Sequence, residues 1–184
     1  MRYLFFIWTI PMMMLTSMTS TNKVQYGLNN NVLSLNFDIR PAKDNVKNAP
    51  LLVLLHGYGS NKSDLFSIAE QVPENWIVIS LNAPLIINKT QFKWYNVEMM
   101  DGKITLNFDD LQNSLERIEA TIAKIVKQFK VDSSRIITAG FSQGANMSST
   151  LALTKPNTIK AASIFSGRFI PEIESLIKNK KAKK

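Results

Sequence analysis

Short, mainly apolar runs alternate along this chain with segments in which apolar residues recur at helical spacing. The apolar runs cover residues 51–55, 76–81, 135–141 and 160–165. Such runs are typical of strands that are buried on both faces of a parallel sheet. The clearest helical spacing lies in residues 109–131, where apolar side chains return every three or four positions. This alternation predicts an α/β fold, with a mostly parallel sheet and helices on both faces.

Local signals predict two further elements in the first part of the chain. Residues 23–28 and 32–40 flank a run of three asparagines, which predicts an antiparallel hairpin at a sheet edge. Ser60 or Asn61 is suited to cap a helix that Pro73 ends.

The centre of the chain contains one long connection and two predicted helices. Residues 85–108 have no clear period, and a connection of this length in a compact domain is usually a functional wall or lid. The helix predicted at 109–131 begins with Asp109 and Gln112, which resemble a capping box. Residues 143–154 form the second predicted helix, and a proline follows it.

Charge is concentrated at the two ends of the chain. The 184 residues are 45% apolar and 20% charged, which suits one globular domain with a sizeable core. The formal net charge of +8 would suit a nucleic-acid-binding protein, but its location argues against this. Six positive charges lie at the ends of the chain: Arg2, Lys178, Lys180, Lys181, Lys183 and Lys184. Without them, the net charge of the remaining residues is +2. We therefore expect a nearly neutral domain at 21–170 that does not bind nucleic acid. Residues 171–184 form a basic tail, for which a solvated end is favoured over phosphate or anionic-lipid binding.

The N-terminal segment has the pattern of a signal peptide. One charge, Arg2, precedes an apolar run at residues 3–15, and small polar residues follow. This run is short for a bilayer but has the length of a signal-peptide core, so residues 1–20 predict export. An uncleaved membrane anchor is the competing interpretation. The chain has no cysteine, which excludes disulfides and thiolate metal sites, and no other metal or cofactor motif occurs.

The segment Gly140-Phe141-Ser142-Gln143-Gly144 has the pattern of a nucleophile elbow. It follows a predicted strand and opens a predicted helix, which is the context that lifts a serine hydroxyl above a sheet. Glycine is needed two residues before and two residues after the serine, because the strand and helix backbones approach too closely there for side chains. Ser142 is therefore the candidate nucleophile. The alternative is a small residue chosen for tight packing.

Four segments together resemble a known family. They are residues 52–61 (LVLLHGYGSN), the Asn82-Ala83-Pro84 turn, Trp94-Tyr95 and residues 140–145 (GFSQGA). In order and spacing they are similar to the carboxylesterase and phospholipase branch of the α/β-hydrolases, which includes lysophospholipases and acyl-protein thioesterases. The resemblance covers roughly residues 50–167 and implies a small-molecule or lipid ester as substrate.

The resemblance also implies roles for individual residues. Ser142 would attack an ester or thioester carbonyl, and the backbone N–H groups of Tyr58 and Gln143 would form the oxyanion hole. His56 would brace the oxyanion loop rather than act as the base. The glycines that support the site would be Gly57, Gly59, Gly140 and Gly144. Trp94 and Tyr95 would either line an acyl pocket or belong to the core.

The chain departs from this family after the nucleophile. Family members deliver the catalytic aspartate and histidine from two further strands, whereas no histidine and no aspartate follow Ser142 here. A serine without a base is a poor nucleophile. We therefore expect a C-terminally truncated hydrolase with impaired activity, in which residues 161–165 form an unprotected sheet edge. The alternatives are a non-catalytic acyl-binding remnant and a site completed by a partner chain. Contact with a membrane surface and the oligomeric state are left open.

Overall fold

The computed structural model describes residues 34–43, 46–100, 103–168, 170–174 and 176–177. The predicted signal peptide, the first arm of the predicted hairpin and the lysines of the basic tail lie outside these ranges. Among the helices of the described ranges, none is both long enough and apolar enough to cross a membrane.

A five-stranded sheet organises the fold. Its strands are β1 (Phe37–Arg40), β2 (Leu51–Leu55), β3 (Ile77–Leu81), β8 (Ile136–Phe141) and β9 (Ala161–Phe165). Their order is β1-β3-β2-β8-β9, and only β1 runs antiparallel to its neighbour. All five residues of β3 are buried, as expected for an interior strand of mainly apolar sequence. The predicted mostly parallel α/β sheet is confirmed.

Helical elements cover both faces of the sheet. On one face, α1 (Phe108–Phe129) and α2 (Gln143–Thr154) pack against the larger apolar cluster, with Ile118 and Met147 among its members. On the other face, a 3₁₀ helix (Phe66–Gln71) packs against a smaller cluster that includes Leu54 and Val78. At one edge, β9 exposes Ile164 and Phe165, and within the described ranges no strand pairs with its outer side. The expected open edge is therefore present.

The first helix differs from its prediction. The α-helix expected after Ser60 or Asn61 is absent, and only the short 3₁₀ helix forms, without a side-chain cap. Ser60 donates to the carboxylate of Asp64, and the Asn61 side chain accepts from the amide of Ser63. These polar side chains form hydrogen bonds within local turns instead of capping a helix N-terminus. Serine and asparagine side chains commonly compete with helix formation in this way.

The connection between β3 and α1 contains two small hairpins that the sequence pattern did not predict. The first pairs β4 (Leu85–Ile86) with β5 (Phe92–Lys93), and the second pairs β6 (Val97–Met100) with β7 (Lys103–Leu106). Strands of two to four residues are too short to show alternation.

The start of α1 also differs from its prediction. Asn107 caps the helix, because its side chain accepts a hydrogen bond from the amide of Asp110. The expected capping box of Asp109 and Gln112 is therefore wrong. Helix α1 (Phe108–Phe129) agrees with the helix predicted at 109–131 to within two residues at each end, which is the usual uncertainty at helix ends.

Candidate active site

Ser142 lies at the sharp turn between β8 and α2. Its backbone has φ 51° and ψ −114°, a positive-φ conformation that a non-glycine residue rarely adopts. The strain is held from both sides, because the Ser142 amide donates to the Phe165 carbonyl and the Ser142 carbonyl accepts from Asn146. The residue is half-buried at the crest of the sheet. This is the geometry that the elbow motif predicts.

Close backbone packing explains the two glycines of the motif. A Cβ on Gly140 would lie 2.2 Å from the Gly144 carbonyl oxygen, and a Cβ on Gly144 would lie 2.0 Å from the Leu55 carbonyl oxygen. No atom larger than hydrogen fits at either position. The strand, the helix and the end of β2 are therefore in direct backbone contact.

The loop after β2 lies against Ser142. Residues Leu55 and Gly140 are paired in register, so both strands end at the same edge of the sheet. A Cβ on Gly57 would lie 3.5 Å from the Ser142 Cβ, which shows how closely the loop approaches the serine. The loop is also tied to the first hairpin, because Gly59 donates to the Phe92 carbonyl at 2.9 Å.

Two backbone amides beside Ser142 have no acceptor. Within the described part of the chain, neither the Tyr58 nor the Gln143 N–H donates a hydrogen bond. Gln143 is the first residue of α2, where the helix dipole places partial positive charge. Unpaired N–H groups at a helix N-terminus favour an anion. These are the two amides that the sequence predicts as the oxyanion hole, and they lie on the two segments that meet at Ser142.

Both ring nitrogens of His56 are occupied. The Ala83 amide donates to Nε2 at 3.1 Å, so the proton resides on Nδ1 and is donated to the Gly57 carbonyl at 2.7 Å. The side chain is fully buried, and its distance from bulk water lowers its pKa from the ordinary value of 6.5. The hydrogen bond to Gly57 and the charge of Asp64 oppose this shift. His56 is thus a neutral ring that joins the loop after β2 to the turn after β3.

The buried His56 predicts a loss of stability in mild acid. The unfolded chain takes up a proton below pH 6.5, whereas the folded ring resists it, so stability present above pH 6.5 falls as the pH is lowered. The slope is at most about 1.4 kcal/mol per pH unit, until the pKa of the folded state is reached. Urea unfolding at about pH 7.5 and about pH 5.5 measures it, because no other histidine titrates in this window.

The control for this measurement is His56→Gln, which removes the titrating ring and should flatten the profile. An equally flat profile in the wild-type protein would show that folded His56 accepts a proton as easily as the unfolded chain does.

Trp94 and Tyr95 are core residues in this structure. Their exposed fractions are 0% and 2%, which favours the core alternative over the predicted acyl pocket. The Gln143 side chain fixes this segment, because its Oε1 accepts from the Trp94 amide and its Nε2 donates to the Tyr95 carbonyl, both at 3.0 Å. Asn146 donates to the Tyr95 hydroxyl at 2.8 Å. Burial raises the pKa of that hydroxyl, against the opposing effect of the Asn146 hydrogen bond.

Sequence reasoning missed the polar side chains around these rings. Ser114 of α1 donates to the Trp94 carbonyl, and the Asn146 side chain accepts from the Arg168 amide at 2.8 Å. Ser114 and Asn146 are buried polar residues on helices, and each faces a loop from elsewhere in the chain. Their helical positions on the inward face are the only signal that could have identified them.

A strained serine in the turn between a strand and a helix of a mostly parallel sheet is the arrangement of an α/β-hydrolase. A family model described as phospholipase/carboxylesterase matches residues 38–183. The chain therefore belongs to the phospholipase/carboxylesterase family, and the resemblance seen in the sequence is confirmed.

Solved structures of esterases are similar to this chain in fold. The carboxylesterase of Bacillus cereus has a TM-score of 0.58 at 22% identity, over 79% of this chain and 80% of that chain. Esterase PE8 has a TM-score of 0.65 at 25% identity, over 78% of this chain and 70% of that chain. A carboxylesterase of Mesorhizobium loti has a TM-score of 0.58 at 18% identity, over 77% and 67%. The similarity confirms the α/β-hydrolase fold.

Proposed function

We propose that this chain is a serine hydrolase of carboxylic esters or thioesters, with Ser142 as its nucleophile. The observation that carries the proposal is the half-buried Ser142 in its strained turn, flanked by the segments that present the unpaired amides of Tyr58 and Gln143. Ser142 Oγ would attack the substrate carbonyl carbon, and the negative charge that develops on the carbonyl oxygen would be stabilised by the two amides. The alcohol or thiol would leave, and water would release the acid in a second step.

Apolar side chains beside the serine favour an ester with an apolar acyl or alcohol group. Tyr58, Phe141 and Phe165 are all substantially exposed, and Phe141 and Phe165 are paired in register on β8 and β9. An exposed apolar patch at the mouth of a site is suited to bind hydrocarbon. A small-molecule ester and a lipid ester both fit this surface.

We expect low activity from these 184 residues, because they offer Ser142 neither a free histidine nor a later aspartate. His56 is the only histidine, and both its nitrogens are engaged. No aspartate follows Ser142. In a well-studied serine protease, loss of the triad lowers turnover on the order of 10⁶-fold and leaves roughly 10³ to 10⁴ over water. We expect a residual rate of the latter kind.

The same observation supports a second candidate function, a non-catalytic protein that binds an acyl or carboxylate ligand. The two unpaired amides and the apolar patch can hold such a ligand without a base. In this case Ser142 would contribute a small side chain and no chemistry.

Hydrolysis of p-nitrophenyl butyrate by the wild-type chain and by Ser142→Ala distinguishes the two functions. We expect the wild-type chain to hydrolyse this ester slowly but measurably faster than the variant, because only the wild type has an attacking oxygen. Release of p-nitrophenol, followed by absorbance, measures both rates. Equal rates in the two proteins would contradict the hydrolase and favour the binding protein.

A further inference from the structure

Trp94 is hydrogen-bonded to both segments that carry the proposed oxyanion amides. Its backbone amide donates to the side chain of Gln143 at 3.0 Å. Its indole N–H donates to the carbonyl of His56 at 2.8 Å. Its own carbonyl accepts from Ser114. Every polar group of this fully buried residue therefore has a partner, and two of the partners belong to the site.

These bonds form a continuous path between the two amides. Gln143 carries one amide on its backbone and contacts Trp94 with its side chain. His56 accepts from the indole and lies two residues before Tyr58, which carries the other amide. The His56 and Trp94 rings also pack together, with centroids 5.4 Å apart. The indole thus joins the loop after β2 to the start of α2 through side chains that the proposed chemistry does not use.

Burial makes this path stiff. His56, Trp94 and Gln143 are all buried, so a broken bond would leave a polar group without water as a replacement partner. An oxyanion hole requires donors at defined positions, and the loss of one donor lowers kcat by about 10² to 10³. Misplacement by about 1 Å lowers a rate by about 10².

We infer that Trp94 is a positioning residue that holds the Tyr58 and Gln143 amides at the separation an oxyanion needs. This inference rests on the proposed hydrolase function. Trp94 does not touch the substrate, because its side chain is buried beneath the site. It acts through His56 on one side and through Gln143 on the other.

Trp94→Phe and Gln143→Met test the inference. Trp94→Phe keeps an aromatic ring but removes the indole bond to His56. Gln143→Met keeps a side chain of similar length but removes the side-chain amide hydrogen bonds to Trp94 and Tyr95. With p-nitrophenyl butyrate, each should lower kcat by about 10- to 100-fold and leave KM within about twofold. The double variant should be no more than about twofold slower than the slower single variant, because both changes break one path. Unchanged kcat, or additive losses in the double variant, would overturn the inference.

Thr121→Val is the matched control for a loss of stability alone. Thr121 is buried in α1, where it accepts from the Leu35 amide and donates to the Arg117 carbonyl, away from the site. This variant should lower the urea midpoint as the Trp94 and Gln143 variants do, but it should leave kcat unchanged. A fall in kcat equal to theirs would mean that destabilisation alone explains their effect.

A second readout separates this inference from the proposed function. In ¹H–¹⁵N spectra, the Tyr58 amide signal should shift in Gln143→Met and in Trp94→Phe, and it should stay in place in Thr121→Val. If wild type and Ser142→Ala hydrolyse the ester equally, the hydrolase proposal fails, and the Tyr58 signal still decides the positioning role. An unmoved Tyr58 signal in Gln143→Met would overturn it.

Discussion

Gly144→Ala should unfold the protein or leave it barely stable. The added Cβ would lie 2.0 Å from the Leu55 carbonyl oxygen and 2.5 Å from the His56 carbonyl oxygen. Both atoms are backbone, so neither can rotate away as a flexible side chain would. Overpacking typically costs about 1 to 3 kcal/mol where neighbours can adjust, and we expect about 4 kcal/mol or more here. Urea unfolding followed by circular dichroism measures the loss.

Gly59→Ala is the matched control for this prediction. Gly59 has φ +76°, but its Cβ would meet only the end of the Gln91 side chain, at 3.9 Å. The substitution should therefore cost only the left-handed backbone term, about 1 to 2 kcal/mol. If Gly144→Ala were as stable as Gly59→Ala, the close contact between α2 and β2 would be wrong.

Elements that bury both faces could be predicted from the sequence, because their signal is local. Strand β2 is an unbroken apolar run, β3 is apolar apart from Ser80, and the bounds of α2 agree with the prediction residue for residue. The hairpins between β3 and α1 could not be predicted, because their short strands depend on each other and on a bridge from Ser60 to Phe92. The prediction of an α-helix after Ser60 was wrong, because the side chains that could cap it form hydrogen bonds within local turns instead.

In the candidate site, too, the sequence predicts the local features and not the contacts between distant residues. Ser142 and its flanking glycines are neighbours in sequence, so a motif reveals them and the turn geometry follows. The path through Trp94 joins residues 49 and 38 positions apart in the chain. Nothing in the residues themselves indicates that a glutamine side chain would bind an aromatic segment or that an indole would bind the loop after β2. These contacts depend on the packing of the finished fold.

Ser142→Ala should abolish covalent reaction with a fluorophosphonate. The probe forms a bond to the serine oxygen and expels fluoride, so removal of that oxygen removes the reaction entirely. The wild-type chain should react, although more slowly than a hydrolase with a complete triad, because its one histidine is engaged elsewhere and no aspartate follows Ser142. The oxyanion amides and the strained turn assist attack in the wild type. Neither can replace the attacking oxygen that the variant lacks.

Neighbouring hydroxyls provide the matched control for this reaction. Ser149 is half-buried on the same helix but donates to the Asn146 carbonyl and has an ordinary helical backbone. Ser149→Ala should be labelled as fast as the wild type, because the hydroxyl that it removes lies in neither the strained turn nor the proposed oxyanion site.

Mass spectrometry of the digested protein after fluorophosphonate treatment tests the nucleophile most directly. We expect a single probe adduct on the peptide that contains Ser142, present in the wild type and in Ser149→Ala and absent from Ser142→Ala. No adduct in the wild type, or an adduct on another residue that persists in Ser142→Ala, would contradict it.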